Sequence, residues 1–207
     1  MKYTSLIDMK NSKYDNDDMI RMWMNGSELG NIDITFAKLL MNMKIIRSSI
    51  IPYTIVGNDM YLLMGIDSST GDITDLGGGV KKHECAITGG IREFNEESRD
   101  IFKGQLCVNN TSDVFAITNK RICAIFVPVS KKWYENANKM FENKSVENAN
   151  KKAYNEIQKL VWISESEFRK LVSTEDENEM WSSIKKFYNS GFNLISDILK
   201  KTYINVF

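Results

Sequence analysis

Histidine occurs once, at His83, proline twice, at Pro52 and Pro128, and cysteine three times, at Cys85, Cys107 and Cys123. Each scarcity excludes something. A single His and three Cys without C-x-x-C spacing leave no ligand set for a zinc site, and an odd cysteine count sets up no disulfide framework, so a reducing compartment is expected. Two isolated prolines and no Gly/Ser-rich stretch leave no linker to mark an internal boundary. No segment reaches the roughly 18 apolar residues needed to span a bilayer, and the opening MKYTSLIDMKNSKYDNDDM has no apolar leader core. A cytoplasmic protein with no membrane partner is therefore the expectation. Lys plus Arg equals Asp plus Glu at 27 each, so there is no long-range pull on polyanions, and any such contact must come from one face.

What is present is an ordinary globular composition: 207 residues, 43% hydrophobic and 26% charged, which suits one domain with an extension. Between Ser27 and Arg47, Leu29, Ile32, Phe36, Leu39, Leu40 and Met43 recur at helical spacing. Residues 1–48 are expected to be an N-terminal helical extension packed on the core, with the main domain at 49–207. Two β-branched or aromatic runs, Ser49 to Val56 and Met60 to Ile66, flank Gly57-Asn58-Asp59 and predict a hairpin. Ile73 to Leu76 predicts a strand ending in Gly77-Gly78-Gly79, and Glu84 to about Phe102 a helix. A second hairpin is predicted from Val114 to Ile117 and Arg121 to Val129. Lys131 to Asn155 suits a polar helical insertion, Leu160 to Ile163 a short strand, and Glu165 to Leu171 a short helix. A closing helix at about 179–201 has Trp181, Ile184, Phe187, Tyr188, Phe192, Ile195, Ile198 and Leu199 as its core face.

The chemistry-bearing stretch is GGVKKHECAITGGIREFNEESRD, from Gly78 to Asp100. On a helix Glu93, Glu96 and Glu97 stand at i, i+3 and i+4, so three carboxylates crowd one face. Like charges at this spacing destabilise a helix unless a counter-charge is present, and hard oxygen ligands without His or Cys select Mg²⁺ or Mn²⁺. Arg92 lies one turn before Glu96 and can reach back to Glu84, which suits an orienting role. His83 is expected on the surface. Gly89 and Gly90 in mid-helix predict close packing on a sheet, since each costs about 1 kcal/mol relative to Ala.

This stretch resembles the Nudix box, G-x5-E-x7-R-E-U-x-E-E-x-G-U, with Gly78, Glu84, Arg92, Glu93, Glu96 and Glu97 in place and Phe94 at the apolar position. It departs at the end, where Arg99 and Asp100 replace the last glycine and apolar residue. The expected repair is that the helix continues through Ile101 and Phe102 and stops at Gly104. The resemblance implies an α/β/α sandwich, a mixed sheet with the Nudix helix on one face and extra N-terminal and C-terminal helices. It also implies hydrolysis of a nucleoside diphosphate linked to another moiety, with Mg²⁺ or Mn²⁺ held by Glu93, Glu96, Glu97 and the carbonyl of Gly77. Gly78 and Glu84 would be structural supports. A glutamate outside the box often serves such enzymes as metal ligand or general base, and Glu156 is the candidate, with Glu135 and Glu147 behind it.

The composition and the layout are similar to those of mRNA-decapping Nudix enzymes of poxviruses and other large DNA viruses. That similarity implies release of m7GDP from capped RNA in the host cytoplasm. Trp23, Tyr134 or Trp133 would stack on the cap, and Lys120 and Lys132, with other Lys pairs, would contact phosphate. Two alternatives stand beside it. One is a small-molecule Nudix hydrolase for dinucleoside polyphosphates, diphosphoinositol polyphosphates or nucleoside diphosphate sugars. The other is a binding module without catalysis, against which the retained carboxylates argue.

Overall fold

The computed structural model describes residues 20–25, 45–102, 113–118, 121–147 and 155–173, Met180, and single positions between 184 and 204. Among these, eight strands form one mixed sheet: β1 (Ile20–Asn25), β2 (Arg47–Val56), β3 (Asp59–Asp67), β4 (Ile73–Thr74), β5 (Leu76–Gly79), β6 (Asp113–Thr118), β7 (Ile122–Pro128) and β8 (Ile157–Ser164). Three helices accompany them: α1 (Ala86–Glu97), α2 (Lys131–Glu147) and α3 (Glu165–Ser173).

The order β1-β6-β7-β2-β3-β4 is antiparallel except where β2 runs parallel to β7, and β8 lies along the other edge of β3. The sheet forks at β2. Tyr53 to Val56 pair with β3, whereas Arg47 to Ile50 pair with β5. The β4–β5 segment fills the gap, bonded first to β3 at Ile73 and Thr74 and then to β2 from Leu76 onward. Asp75, between those two stretches, is the point at which the strand changes partners.

Alternation along the central strands sends successive side chains to opposite faces, and both faces are covered. Ile50, Leu63 and Leu76 join Phe94 of α1 and Phe141 of α2 in one core. Ile51, Tyr53 and Leu62 join Phe168 of α3 and Ile184, Tyr188 and Phe192 of the C-terminal segment in the other. Double coverage explains why these strands read as continuous apolar runs rather than as a strict alternation. The fold is thus a mixed α/β sandwich, with the predicted hairpins, central helix and short helix present. The predicted 27–44 helix lies outside the described residues, as do Trp181, Ile195 and Ile198 of the closing helix. The described positions 184, 185, 187–189, 192, 196, 197, 199, 200, 203 and 204 are helical.

Three expectations need correction. Ile20–Asn25, within the segment expected to be a helical extension, is a strand paired with β6. The 131–155 insertion is not merely a polar appendage, because α2 buries Ala137 and Phe141 and packs Trp133 and Met140 against the first core.

The third correction concerns the end of α1. The helix stops at Glu97 and does not run on to Gly104; Ser98 caps it, and Arg99 and Asp100 take left-handed φ values of 57° and 58°. Each such residue costs roughly 1–2 kcal/mol of steric strain. What offsets it is tertiary. The turn sends Ile101 and Phe102 into the core, with the Phe102 ring 5.1 Å from Phe94 and 4.3 Å from Trp133. The Arg99 guanidinium donates to the carbonyls of Phe141 at 3.3 Å and Ile157 at 3.0 Å, and lies 3.8 Å from the Phe141 ring centroid. A buried arginine thereby joins α1, α2 and β8 at the position where the box has glycine.

Candidate metal centre

α1 packs closely on β2 at Gly90. A Cβ on Gly90 would stand 2.8 Å from Ser48 Oγ, which accounts for the glycine expected to face a sheet. Seating the helix this closely brings its carboxylate face to β5, where a Cβ on Gly78 would stand 2.5 Å from Glu93 Cδ.

Arg92 organises the outer part of the site. Its Nε and Nη2 donate to the two oxygens of Glu84 at 2.7 and 2.9 Å, a bidentate pair, and Nη2 also donates to the Gly79 carbonyl at 2.8 Å. Nη1 turns the other way, to Glu93 at 2.6 Å and Glu96 at 3.4 Å. The Lys81 backbone N–H adds a bond to Glu84 at 3.0 Å. These donors favour the charged form, so the Glu84 carboxyl is pulled down to about 2, chiefly by the hydrogen bond from Arg92. The Arg92 guanidinium is correspondingly raised, chiefly by Glu84. Arg92 thus ties Glu84 to Glu93 and Glu96.

Glu97 faces inward. It is 7% exposed, its Oε2 is buried without a hydrogen-bond partner, and the Gly77 N–H donates to its carboxylate. Burial pushes its pKa well above the ordinary value, and the nearby Asp75 charge adds to this, while Arg47 and the Gly77 N–H oppose it. Among the described residues no three His, Cys, Asp or Glu side chains stand as a preformed metal cage, because Arg92 draws Glu93 and Glu96 to itself while Glu97 turns toward Gly77. The donor set nonetheless suits a hard divalent cation. It consists of oxygens only, one of them an orphaned buried carboxylate oxygen, beside the glycine backbone of β5.

The remaining candidates are dispersed. Glu156 is exposed just before β8, and its carbonyl accepts the Ser68 N–H at 2.8 Å. Glu135 is exposed and pairs with Lys131 at 3.6 Å. Tyr134 is half-buried against Tyr61 at 4.9 Å and Trp162 at 5.5 Å, whereas Trp133 is used in packing on Phe102. Lys132 and His83 are exposed. Trp23 sits on β1 opposite Phe115, three strands from β2, or roughly 14 Å at ordinary strand spacing. Lys120 lies outside the described residues.

A group that sequence reasoning passed over is Asp75, fully buried, with Arg47 Nη2 at 2.5 Å on one oxygen and Tyr188 Oη at 2.5 Å on the other. Tyr188 Oη is also 3.3 Å from Ser49 Oγ. A charged residue inside an apolar strand, Ile73 to Leu76, was the available signal.

No family model matches the chain, and no curated protein matches it by sequence. Among solved structures it is similar to a Caenorhabditis elegans Ap4A hydrolase binary complex, with 14% identity, TM-score 0.44, and 76% of this chain and 99% of that chain covered. It is also similar to a mutT/nudix family protein from Listeria innocua, with 12% identity, TM-score 0.41, and coverage of 74% and 96% respectively.

Proposed function

We propose that the chain is a Nudix-type pyrophosphohydrolase dependent on Mg²⁺ or Mn²⁺, and that its substrate is the 5′ cap of mRNA, released as m7GDP. One observation carries the hydrolase reading. Arg92 bridges Glu84, Glu93 and Glu96 beside Gly78 and Gly79, while Glu97 turns a partnerless oxygen inward next to Gly77. A structural salt bridge has no use for that orphaned oxygen or for three more carboxylates than its one arginine neutralises.

In this reading Glu93, Glu96, Glu97 and the Gly77 carbonyl hold the cation. Bound there, Mg²⁺ or Mn²⁺ would supply Lewis-acid charge to the diphosphate oxygens and to the attacking water. The chain's own residues do the rest. Glu84 anchors Arg92, and Arg92 holds Glu93 and Glu96 on the face of α1 beside β5, from which their carboxylates turn from the guanidinium to the cation when it binds. Glu156, exposed and in no ion pair among the described residues, is assigned the water proton as general base.

What supports the cap reading is the half-buried Tyr134 beside Tyr61 and Trp162, with the exposed Lys132 two residues before it. A base stacked on such a ring gains about 1–3 kcal/mol. Lys120 and Lys132 are assigned to phosphate.

The test is to incubate the protein and its Glu97→Gln and Glu156→Gln variants with Mn²⁺ and, in parallel, cap-labelled RNA, m7GpppG, free dinucleoside polyphosphates, inositol pyrophosphates and nucleoside diphosphate sugars. The expected result is m7GDP from capped RNA, lost in Glu97→Gln and reduced about 10²–10⁴-fold in Glu156→Gln, the range of general-base catalysis. Cleavage of only the free small molecules replaces the cap with a soluble nucleotide as substrate. Nucleotide binding with no turnover anywhere overturns the hydrolase reading.

A further inference from the structure

We infer that Tyr188 is a positioning residue for the metal centre, which through Asp75 and Arg47 fixes the strand carrying Gly77 and so the inward carboxylate of Glu97. This rests on the hydrolase reading above. Tyr188 belongs to the C-terminal segment and is packed in the sheet layer opposite α1, so its reach to the site runs through the sheet itself.

Asp75 is the residue at which the β4–β5 strand leaves β3 and joins β2. Its side chain is fully buried, and both oxygens are occupied, one by Arg47 and one by the Tyr188 hydroxyl. The crossover is therefore pinned by two donors from different parts of the chain, 28 and 113 residues away. Two residues on, Gly77 is held tightly against Ser49, where a Cβ would stand 2.3 Å from the Ser49 Cβ. Its N–H meets Glu97, the carboxylate whose other oxygen has no partner.

Asp75 and Glu97 are two buried acids whose charges oppose one another, and the Arg47 charge, paired directly with Asp75, also acts on Glu97. By satisfying half of Asp75, the Tyr188 hydroxyl lets the Arg47 charge serve Glu97 as well. Without it one oxygen of the buried Asp75 carboxylate has no donor at the crossover, and relieving that costs either a water or a shift of the strand. Such a shift carries Gly77, and Glu97 moves with it. The ring of Tyr188 does separate work, packing at 5.4 Å from Phe168 and 5.1 Å from Phe187, and phenylalanine retains those contacts.

The experiment measures Mn²⁺ binding by the electron paramagnetic resonance signal of free Mn²⁺, together with thermal unfolding, for the unaltered full chain, Tyr188→Phe and Tyr203→Phe. Tyr203 is the control: its hydroxyl is 2.9 Å from Thr54 Oγ1, in the same layer and also buried, but bonded to β2 beyond its pairing with β5. Both variants lose a buried hydroxyl contact and should melt at lower temperature. The expected result is Mn²⁺ affinity weakened about tenfold in Tyr188→Phe, the usual effect of removing an outer partner of a metal ligand, and unchanged in Tyr203→Phe. Ser49→Ala, which removes only the 3.3 Å neighbour of the Tyr188 hydroxyl, should weaken it less and keeps the test open if Tyr188→Phe fails to fold. Equal Mn²⁺ affinity in Tyr188→Phe and the unaltered chain, or equal weakening in Tyr188→Phe and Tyr203→Phe, overturns the positioning role while leaving the hydrolase reading intact. No saturable Mn²⁺ binding by the unaltered chain overturns both.

Discussion

Replacing Arg99 with glycine, the residue at the matching position of the motif this stretch resembles, should destabilise the protein. The gain is conformational. A left-handed residue with a side chain is strained by roughly 1–2 kcal/mol, and about half of that is returned as the larger chain entropy glycine loses on folding. The loss is tertiary. Two hydrogen bonds from a charged donor, to the Phe141 and Ile157 carbonyls, contribute about 1.5–3 kcal/mol each, and the guanidinium–ring contact about 0.5–2 kcal/mol. Burial of the guanidinium also lowers its pKa, the mark of a desolvation cost that places the sum at its lower end. A net loss of about 3 kcal/mol remains. For a chain of this size that is a fall in Tm of roughly 6–12 °C, measurable by circular dichroism or calorimetry at neutral pH without metal. A Tm for Arg99→Gly equal to or above that of the parent would refute the reasoning. It would mean that backbone strain outweighs the contacts joining the end of α1 to α2 and β8.

Two further outcomes follow from the carboxylates. The folded-state pKa of Glu84 is lowered to about 2 from an ordinary 4.5, so the stability it contributes is fully present above about pH 4.5 and is lost as pH falls toward 2. Glu84→Gln should flatten the acid limb of a plot of stability against pH, and an unchanged limb would dismiss the Arg92–Glu84 pair as a stabilising element. The sign reverses for Glu97, whose raised pKa makes its charged form destabilising as pH rises above 4.5. Glu97→Gln should therefore raise the metal-free Tm at neutral pH by a few degrees while abolishing stabilisation by Mn²⁺; a lower Tm would show that Arg47 and Gly77 more than compensate its burial.

Local signals carried the hairpins and the central helix, because turn residues and periodicity act over a few positions: Gly57-Asn58-Asp59 closes β2 on β3, and Ile87, Gly90 and Phe94 share a buried helix face. The close approach explaining Gly90 was legible for the same reason. The proposed roles of Glu93, Glu96 and Arg92 were read from spacing on one helix, where geometry is set by the helical repeat. The end of α1 was not legible, since the contacts that hold Arg99 in a left-handed turn come from 42 and 58 residues away. Asp75 was missed for a similar reason. Its partners, Arg47 and Tyr188, flank it in no local pattern, and nothing in Ile73 to Leu76 tells where the strand will change neighbours. The edge strand β1 has a partner almost a hundred residues later, so its pairing leaves little local trace.

The pairing of the sheet also dictates an order of events during synthesis. β1 waits for β6, β2 for β7, and β3 for β8, with Tyr61 opposite Ser164. The first five strands therefore leave the ribosome with unmade edges, and only the appearance of β8 closes the long side of β3. Contacts so distant along the chain slow folding, because the entropy of closing large loops is spent before the pairing rewards it. The nascent chain thus stays open to chaperones, or to pairing with a neighbouring copy, until most of the protein has been made.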